Sequence, residues 1–322
     1  MTIASIDIGT NTILLLIAEI DIRERRIKTI SNEFRIPRIG KGLYHGGRIL
    51  TPQIEAMFDI LEQYYKIILN HRCNHILVTA TNAFRIASNN MELVKQIKSK
   101  FNFDVKIISG EEEARYSYLG ATFNLKGKGK NLIIDIGGGS TEIVFGEGIN
   151  ISYSKSFLIG AVAGTEKYLK HDPPLALEID NLGSEISTKL EGISINQFQA
   201  DSAIAIAGTP TTLACIKQGL TSFDEELIEG SILTIQDINK LFEEISNLSS
   251  KDILKKYKTV VKGREDVLLS GTFILERIMR LMGLNSVSVS TKGIRYGAIV
   301  DFFFQIHIYE IKIYFIICIV IT

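Results

Sequence analysis

At 322 residues with 46% hydrophobic side chains, the chain is long enough to bury a large core, and its length favours two domains over one. The 36 basic and 36 acidic residues balance to a formal net charge of zero, which excludes a dominant, sequence-independent attraction to nucleic acid, so a bound anion has to be held by local design. Cys73, Cys215 and Cys318 are too scattered for a disulfide framework or a zinc motif and point to a reducing compartment.

The chain opens on a strand. It starts at Thr2 with no basic leader before it, and Asp7 interrupts any signal-like apolar run, so a cytoplasmic protein is expected. Asp7 precedes the turn Gly9-Thr10-Asn11-Thr12, after which Ile13 to Ile20 runs back as a second strand and Lys28 to Phe34 forms a third. Pro37 to Gly47, with four glycines and a proline, reads as a surface loop. A helix begins at Thr51 with Pro52 in its first position and Ile54, Phe58, Leu61 and Tyr65 on one face. Ile76 to Val78 is a short buried strand leading to Thr79-Ala80-Thr81-Asn82-Ala83-Phe84-Arg85, where Asn82 is placed to cap a helix running past Ile86. Arg85 then lies in a first turn, against the preference of the helix dipole, which makes sense if an anion sits between them. The plainer alternative is a surface arginine with its stem packed on the helix.

Val105 to Ile108 is the next strand, followed by Ser109-Gly110-Glu111-Glu112-Glu113-Ala114-Arg115, in which Ser109 and Glu112 have capping-box spacing. Three adjacent carboxylates exceed what a cap requires, and since successive helical residues point about 100° apart, one of them faces inward as a candidate general base. The spacing does not select which. Residues 124–130, with Lys126, Lys128, Lys130 and two glycines, form a polar linker and mark the domain boundary.

Asn131 to Ile134 is a buried strand that runs into Asp135-Ile136-Gly137-Gly138-Gly139-Ser140-Thr141-Glu142. Ile-Asp-Ile-Gly thus occurs twice, each time between an apolar run and a Gly/Thr/Ser/Asn turn, and the repeat implies two domains of like topology that each offer a phosphate-grasping turn to a shared cleft. Glycine removes the Cβ that would keep backbone N–H groups away from an anion. Asp135 suits a hard cation such as Mg²⁺ held between protein and phosphate. Taken alone, the stretch also reads as a hairpin turn in which Asp135 caps amides.

Ile151 to Leu158 is a further strand and Gly160 to Tyr168 turns into a helix. The next helix is expected to start at Asp172-Pro173-Pro174, with Leu175, Ile179, Leu182 and Ile186 as its face. Ala203 to Ala207 is a small-residue strand before Gly208-Thr209-Pro210-Thr211-Thr212, a strand, glycine turn and helix start that together make an anion site, or simply a capped helix. The cations Lys251, Lys255, Lys256, Lys258, Lys262 and Arg264 read as a solvated helix face or, if they line the cleft, as a groove for a long polyanion. Val287 to Ser290 is the last strand, and Gly293-Ile294-Arg295-Tyr296-Gly297 closes the second domain. From Phe302 onward the chain is isoleucine-rich, but a membrane span needs about 20 mainly apolar residues and His307, Glu310 and Lys312 interrupt this one, so membrane association of the tail is not expected.

Taken together, Asp7 to Thr12, Thr79 to Arg85, Ser109 to Arg115, Asp135 to Glu142, Gly208 to Thr212 and Gly293 to Gly297 resemble, in order and spacing, the exopolyphosphatase and guanosine pentaphosphate phosphohydrolase (Ppx/GppA) family from the first strand to about residue 300. The resemblance implies an α/β, actin-like ATPase (ribonuclease H-like) fold in a short two-domain form. Its two βββαβα units span residues 1–124, joined by part of 298–322, and residues 125–297, with 302–322 as an apolar tail.

Carried over by motif, Glu113 is similar to the family's catalytic base and Arg85 to its phosphate-binding arginine. Asp135 and Glu142 match the acidic positions around Mg²⁺, with Mn²⁺ as an alternative. Asp7 with Gly9, Thr10, Asn11 and Thr12 corresponds to the first phosphate turn and Gly137, Gly138, Gly139, Ser140 and Thr141 to the second, with Gly208, Thr209 and Thr211 as further phosphate donors. Thr291 departs from the pattern, since an aspartate usually stands there. The implied activity is Mg²⁺-assisted release of terminal orthophosphate from inorganic polyphosphate, with guanosine pentaphosphate, cleaved to the tetraphosphate, as the alternative substrate. A homodimer is a candidate assembly and nucleic acid is not an expected partner. A sugar kinase-like transferase and a nucleotide-binding protein with little turnover are the competing classes.

Overall fold

The computed structural model describes residues 1–21, 26–123, 129–193 and 198–306. The expected linker lies largely outside these residues, as do Cys318 and the tail beyond residue 306.

Eleven strands form two sheets among the described residues. Strands β1 (Thr2–Ile8), β2 (Ile13–Asp21), β3 (Arg26–Arg35), β4 (His75–Ala80) and β5 (Val105–Ile107) are ordered β3-β2-β1-β4-β5. The second sheet contains β6 (Lys130–Ile136), β7 (Thr141–Glu147), β8 (Asn150–Phe157), β9 (Ser202–Ile206), β10 (Ile232–Thr234) and β11 (Ser286–Ser290), ordered β10-β11-β9-β6-β7-β8. With β6 matched to β1, the orders are the same apart from the short edge strand β10, which sequence reading did not anticipate. In both sheets the first strand pairs antiparallel with the second and parallel with the fourth. The duplicated Ile-Asp-Ile-Gly is therefore a duplicated fold, the actin-like ATPase architecture.

Strand β1 is buried on both faces, which is why it reads as a near-continuous apolar run. Ala4, Ile6 and Ile8 face the helices Thr51–Asn70 and Asn90–Phe101, while Ile3 points the other way, toward Tyr296, Ile299 and Phe303. Those last residues belong to a helix over 294–306 that follows β11 and lies on the first sheet. The exchange is reciprocal. The helix Gly110–Thr122, which follows β5, packs Ala114, Tyr118 and Ala121 on Ile133, Val144, Ile204 and Ile206 of the second sheet.

These two crossing helices meet backbone to backbone. A Cβ on Gly297 would overlap the carbonyl of Tyr116, and one on Gly120 would overlap the carbonyl of Gly293. The glycines of the Gly293–Gly297 motif thus form a seam that fixes the depth of the helix carrying Glu113.

Three local expectations are corrected. The helix expected from Asp172 starts at Ala176, because Asp172 and Pro173 both precede prolines and are driven to extended backbone. Asn82 is the first residue of a five-residue helix, Asn82–Ile86, that has no side-chain cap; its Oδ1 instead accepts a hydrogen bond from the Tyr44 hydroxyl at 3.0 Å. The loop of residues 37–47 contains a short helix, Leu43–Gly46, and folds onto the first turn, where the Arg38 and Gly40 amides donate to Asn11 and Thr10 carbonyls at 3.1 and 2.7 Å. None of the described helices is long and apolar enough to cross a membrane.

Candidate active site

The turns after β1 and β6 have the same construction. Gly9 N–H donates to the Thr12 carbonyl and Gly137 N–H to the Ser140 carbonyl, each at 3.0 Å, so each turn folds back on itself between antiparallel strands. Their tips touch. A Cβ on Gly138 would stand 2.9 Å from Thr10 Cβ, and one on Gly139 would overlap Asn82 Oδ1 and the Tyr44 hydroxyl. Glycine is needed at these positions because the two halves approach with no room for a side chain.

Between the turns lies a cleft of about 650 Å³, lined from both halves by Asp7, Gly9, Thr10, Asn11, Thr12, Glu113, Asp135, Gly137, Gly138, Gly139, Ser140, Gly208, Thr209 and Thr211. Some of these groups already have partners. The Thr211 hydroxyl donates to carbonyls in its own helix, and Thr209 packs on Gly271. Thr141 does not reach the cleft, for it is fully buried and donates to the Ile159 carbonyl at 2.7 Å. Gly208 contributes through its backbone: the helix Gly208–Lys217 has no side-chain cap, so its first N–H groups remain available to an anion.

The structure separates the three glutamates. Glu111 is exposed, and Glu112 closes the capping box with Ser109 and pairs with Lys106 at 2.6 Å. Glu113 turns inward and is 5% exposed. Arg85 reaches it from the short helix: Nη1 donates to Glu113 Oε2 at 2.6 Å and to the Ile108 carbonyl at 3.0 Å, while Nη2 lies 3.5 Å from Ser140 Oγ on the second turn. The arginine therefore bridges the candidate base and the candidate phosphate site.

Asp7, Asp135 and Glu142 are also buried, and with Glu113 they lie near enough beneath the turns to repel one another. Burial pushes the Asp7 carboxyl up to about 8, with Glu113 adding repulsion and Arg295 opposing it. Burial likewise raises Glu113 against the stabilising charge of Arg85, Asp135 against its hydrogen bond from Ser117, and Glu142 with further repulsion from Glu113 and Asp135. Such shifts arise where burial and like charges are held together by a rigid scaffold.

Asp7 Oδ1 and Glu142 Oε2 are buried without a hydrogen-bond partner. Among the described residues no three His, Cys, Asp or Glu side chains converge into an all-protein metal cage. Asp7 and Asp135 line the cleft while Glu142 lies fully buried behind it, a donor set that fits a hard cation bound by one or two carboxylates and completed by phosphate oxygens and water, as Mg²⁺ is commonly bound.

Two cations on the cleft wall were not singled out from sequence. Arg264 lies against Gly208, where a Cβ would overlap its guanidinium, and its Nη2 is 3.4 Å from Thr12 Oγ1. Arg295 is buried and donates to Asn32 Oδ1 and to the Leu15 carbonyl. Arg264 was hidden in the basic run, which splits: Lys262 and Arg264 line the cleft, whereas Lys255 and Lys258 are exposed elsewhere and Lys256 pairs with Glu244 at 2.6 Å. At the atypical position, Thr291 donates its amide and its hydroxyl to Glu229 Oε2, both at 2.7 Å, and its hydroxyl also lies 3.1 Å from Glu225 Oε1. Two glutamates thus supply carboxylates around a residue that has none.

The sequence pattern of the Ppx/GppA phosphatase family matches residues 16–304. The chain is similar to the bifunctional 3-dehydroquinate synthase/phosphatase of Fusobacterium nucleatum, with 31% identity across 92% of this chain and 46% of that protein, so it spans about half of that relative. It is 29% identical to exopolyphosphatase 2 of Mycobacterium tuberculosis over 92% of this chain and 96% of the relative, and 26% identical to the guanosine-5'-triphosphate,3'-diphosphate pyrophosphatase of Vibrio atlanticus over 91% and 58%. Among solved structures, the Aquifex aeolicus member of the Ppx/GppA family superposes with a TM-score of 0.80 at 30% identity, covering 95% of this chain and 98% of that one.

Proposed function

The chain belongs to the Ppx/GppA phosphatase family, and from that membership and the paired turns we propose that it is an exopolyphosphatase, releasing terminal orthophosphate from inorganic polyphosphate by attack of water. The observation that carries this reading is the contact of Arg85 with both Glu113 and Ser140. It puts a buried carboxylate beside the place where a terminal phosphate would be grasped. The full-length likeness to an exopolyphosphatase supports the same substrate, and the likeness to a guanosine pentaphosphate-type pyrophosphatase keeps that nucleotide as the alternative. The spacing of the cysteines supports a cytoplasmic setting.

Phosphoryl transfer needs positioning and charge stabilisation more than covalent chemistry from the protein. The amides of the two turns and of the Gly208 helix grasp the terminal phosphate, with Ser140 and Thr12 hydroxyls at the rim. Arg85 turns from Glu113 toward the phosphate, and the released carboxylate orients water for in-line attack and takes its proton. A base in that position is typically worth about 10²–10⁴-fold. Burial raises the proton affinity of Glu113, which suits it to this task. Asp135 and Glu142 would hold Mg²⁺, or Mn²⁺ in its place, with Asp7 near Asp135, and the cation would supply charge neutralisation on phosphate oxygens. Arg264 and Lys262 stand on the wall where the rest of the polyanion would run.

The test is phosphate release from polyphosphate, guanosine pentaphosphate and ATP, side by side, with and without Mg²⁺. Metal-dependent release that is fastest from polyphosphate is the expected outcome. Release fastest from the pentaphosphate transfers the assignment to the alternative, and release from none of the three overturns hydrolysis.

A further inference from the structure

Asp135 and Glu142 stand directly opposite each other on neighbouring antiparallel strands, and both are buried. Like charges so placed repel, so carboxylates that are free to rotate turn from each other rather than toward a common cation. Something has to fix the orientation of both groups.

Two serines make that contact. Ser117 Oγ donates to Asp135 Oδ2, and Ser156 Oγ donates to Glu142 Oε1 at 2.6 Å, while Glu142 Oε2 is left without a partner. Each hydroxyl engages one oxygen of its carboxylate, with Ser140 a further hydroxyl beside Glu142. Ser117 has no exposure and lies one turn after Glu113 on the helix Gly110–Thr122, so base and tether share a face. Ser156 sits on β8 against the first residue of the same helix, where a Cβ on Gly110 would come within 2.7 Å of Ser156 Cβ. A single helix, fixed in depth by the glycine seam, therefore carries the base and one tether and packs its first residue against the other.

We propose that Ser117 and Ser156 are positioning residues that fix the orientation of Asp135 and Glu142 toward a divalent cation, so that Glu113 and the cation-binding carboxylates are set around one helix. The proposal rests on the cation reading above and is tested on metal alone, without turnover. Free Mn²⁺, read from its paramagnetic resonance signal, is titrated with wild-type protein and with Ser117→Ala, Ser117→Cys, Ser156→Ala and Ser156→Thr. Ser270→Ala serves as a control, since it removes another fully buried serine hydroxyl away from the carboxylates.

Loss of an outer-shell partner typically weakens metal affinity about 10–100-fold. Ser117→Ala, Ser117→Cys and Ser156→Ala are expected in that range, with Ser156→Thr and Ser270→Ala close to wild type. With polyphosphate, the alanine variants should regain most of their kcat at high Mg²⁺ with little change in KM. Ser156 is partly exposed, so its alanine variant keeps the test decisive even if the Ser117 variants fail to fold. Wild-type Mn²⁺ affinity in Ser156→Ala, or equal weakening in Ser270→Ala, overturns the tether. Absence of Mn²⁺ binding by the wild type overturns the cation reading, and the tether with it.

Discussion

The hairpins β1–β2 and β6–β7 share a turn down to its closing hydrogen bond, yet they differ in the residue that faces the aspartate. Asp7 faces Leu14 in the first, whereas Asp135 faces Glu142 in the second. In the proposed reading, the backbone repeat builds a symmetric cradle for phosphate oxygens, and the side-chain asymmetry assigns chemistry to one wall of it. A cradle needs only glycines and N–H groups. A cation site needs charge, and charge has to be kept in place by partners that the first hairpin lacks.

The largest effect is expected from making the second hairpin like the first. Glu142→Leu copies the Leu14 pairing and should lower kcat by at least about 10²-fold, the scale on which loss of one electrostatic stabiliser is felt. The same change should raise the melting temperature of the metal-free protein, because a carboxylate buried without full compensation is removed. Phosphate release across a Mg²⁺ titration, with a thermal melt beside it, checks both. Retained activity would mean that the asymmetry is incidental.

The seam between the crossing helices provides the next test. Gly297→Ala puts a methyl group into the Tyr116 carbonyl and forces the Glu113 helix to move. Overpacking of this kind costs about 1–3 kcal/mol. A lowered denaturant midpoint together with a fall in kcat is expected, whereas a stability loss at unchanged kcat would show that the helix depth does not set the chemistry.

Asp7 sharpens the comparison through pH. Its carboxyl is raised from an ordinary value near 4 to about 8, so the folded state holds a proton that the unfolded chain has released. The associated stability is present at low pH and is lost as pH rises through that window. Asp7→Asn removes the dependence. Its melting temperature should match wild type near pH 4 and exceed it above pH 8, at about 2–4 °C for each 1 kcal/mol. Equal melts at both pH values would contradict the buried, uncompensated placement of Asp7.

The smallest effect concerns the cleft wall. Lys262→Gln should raise KM for long polyphosphate about two- to threefold at low salt, and the difference should fade as the screening length falls from about 10 Å at 0.1 M toward about 3 Å at 1 M. Neutralising Lys255, Lys256 and Lys258 together should leave KM unchanged, because none of them lines the cleft. The reverse pattern would relocate the groove.

The sequence made the duplicated turn legible because glycine and aspartate after an apolar strand have few other uses, and the like topology of the two halves followed from the repeat. It left open which glutamate faces inward, since helical spacing allows any of three; Glu113 is selected by the Ser109–Glu112 cap and by Arg85, a contact between residues far apart in the chain. Ser117 looked like any small helical residue until Asp135 was seen above it. Arg264 was indistinguishable from its lysine neighbours, because a basic run carries no mark of where the chain bends. Asn82 has the right identity for a cap but is drawn away by Tyr44 of a loop some forty residues earlier.

The central claim is that Glu113 is the base at a two-turn phosphate site, and Glu113→Gln tests it most directly. The amide is near-isosteric and cannot take a proton. Binding of polyphosphate with Mg²⁺, followed by equilibrium titration, is predicted to stay within a fewfold of wild type, while single-turnover phosphate release falls by at least about 10²-fold. Release at the wild-type rate from a variant that binds normally would contradict the account.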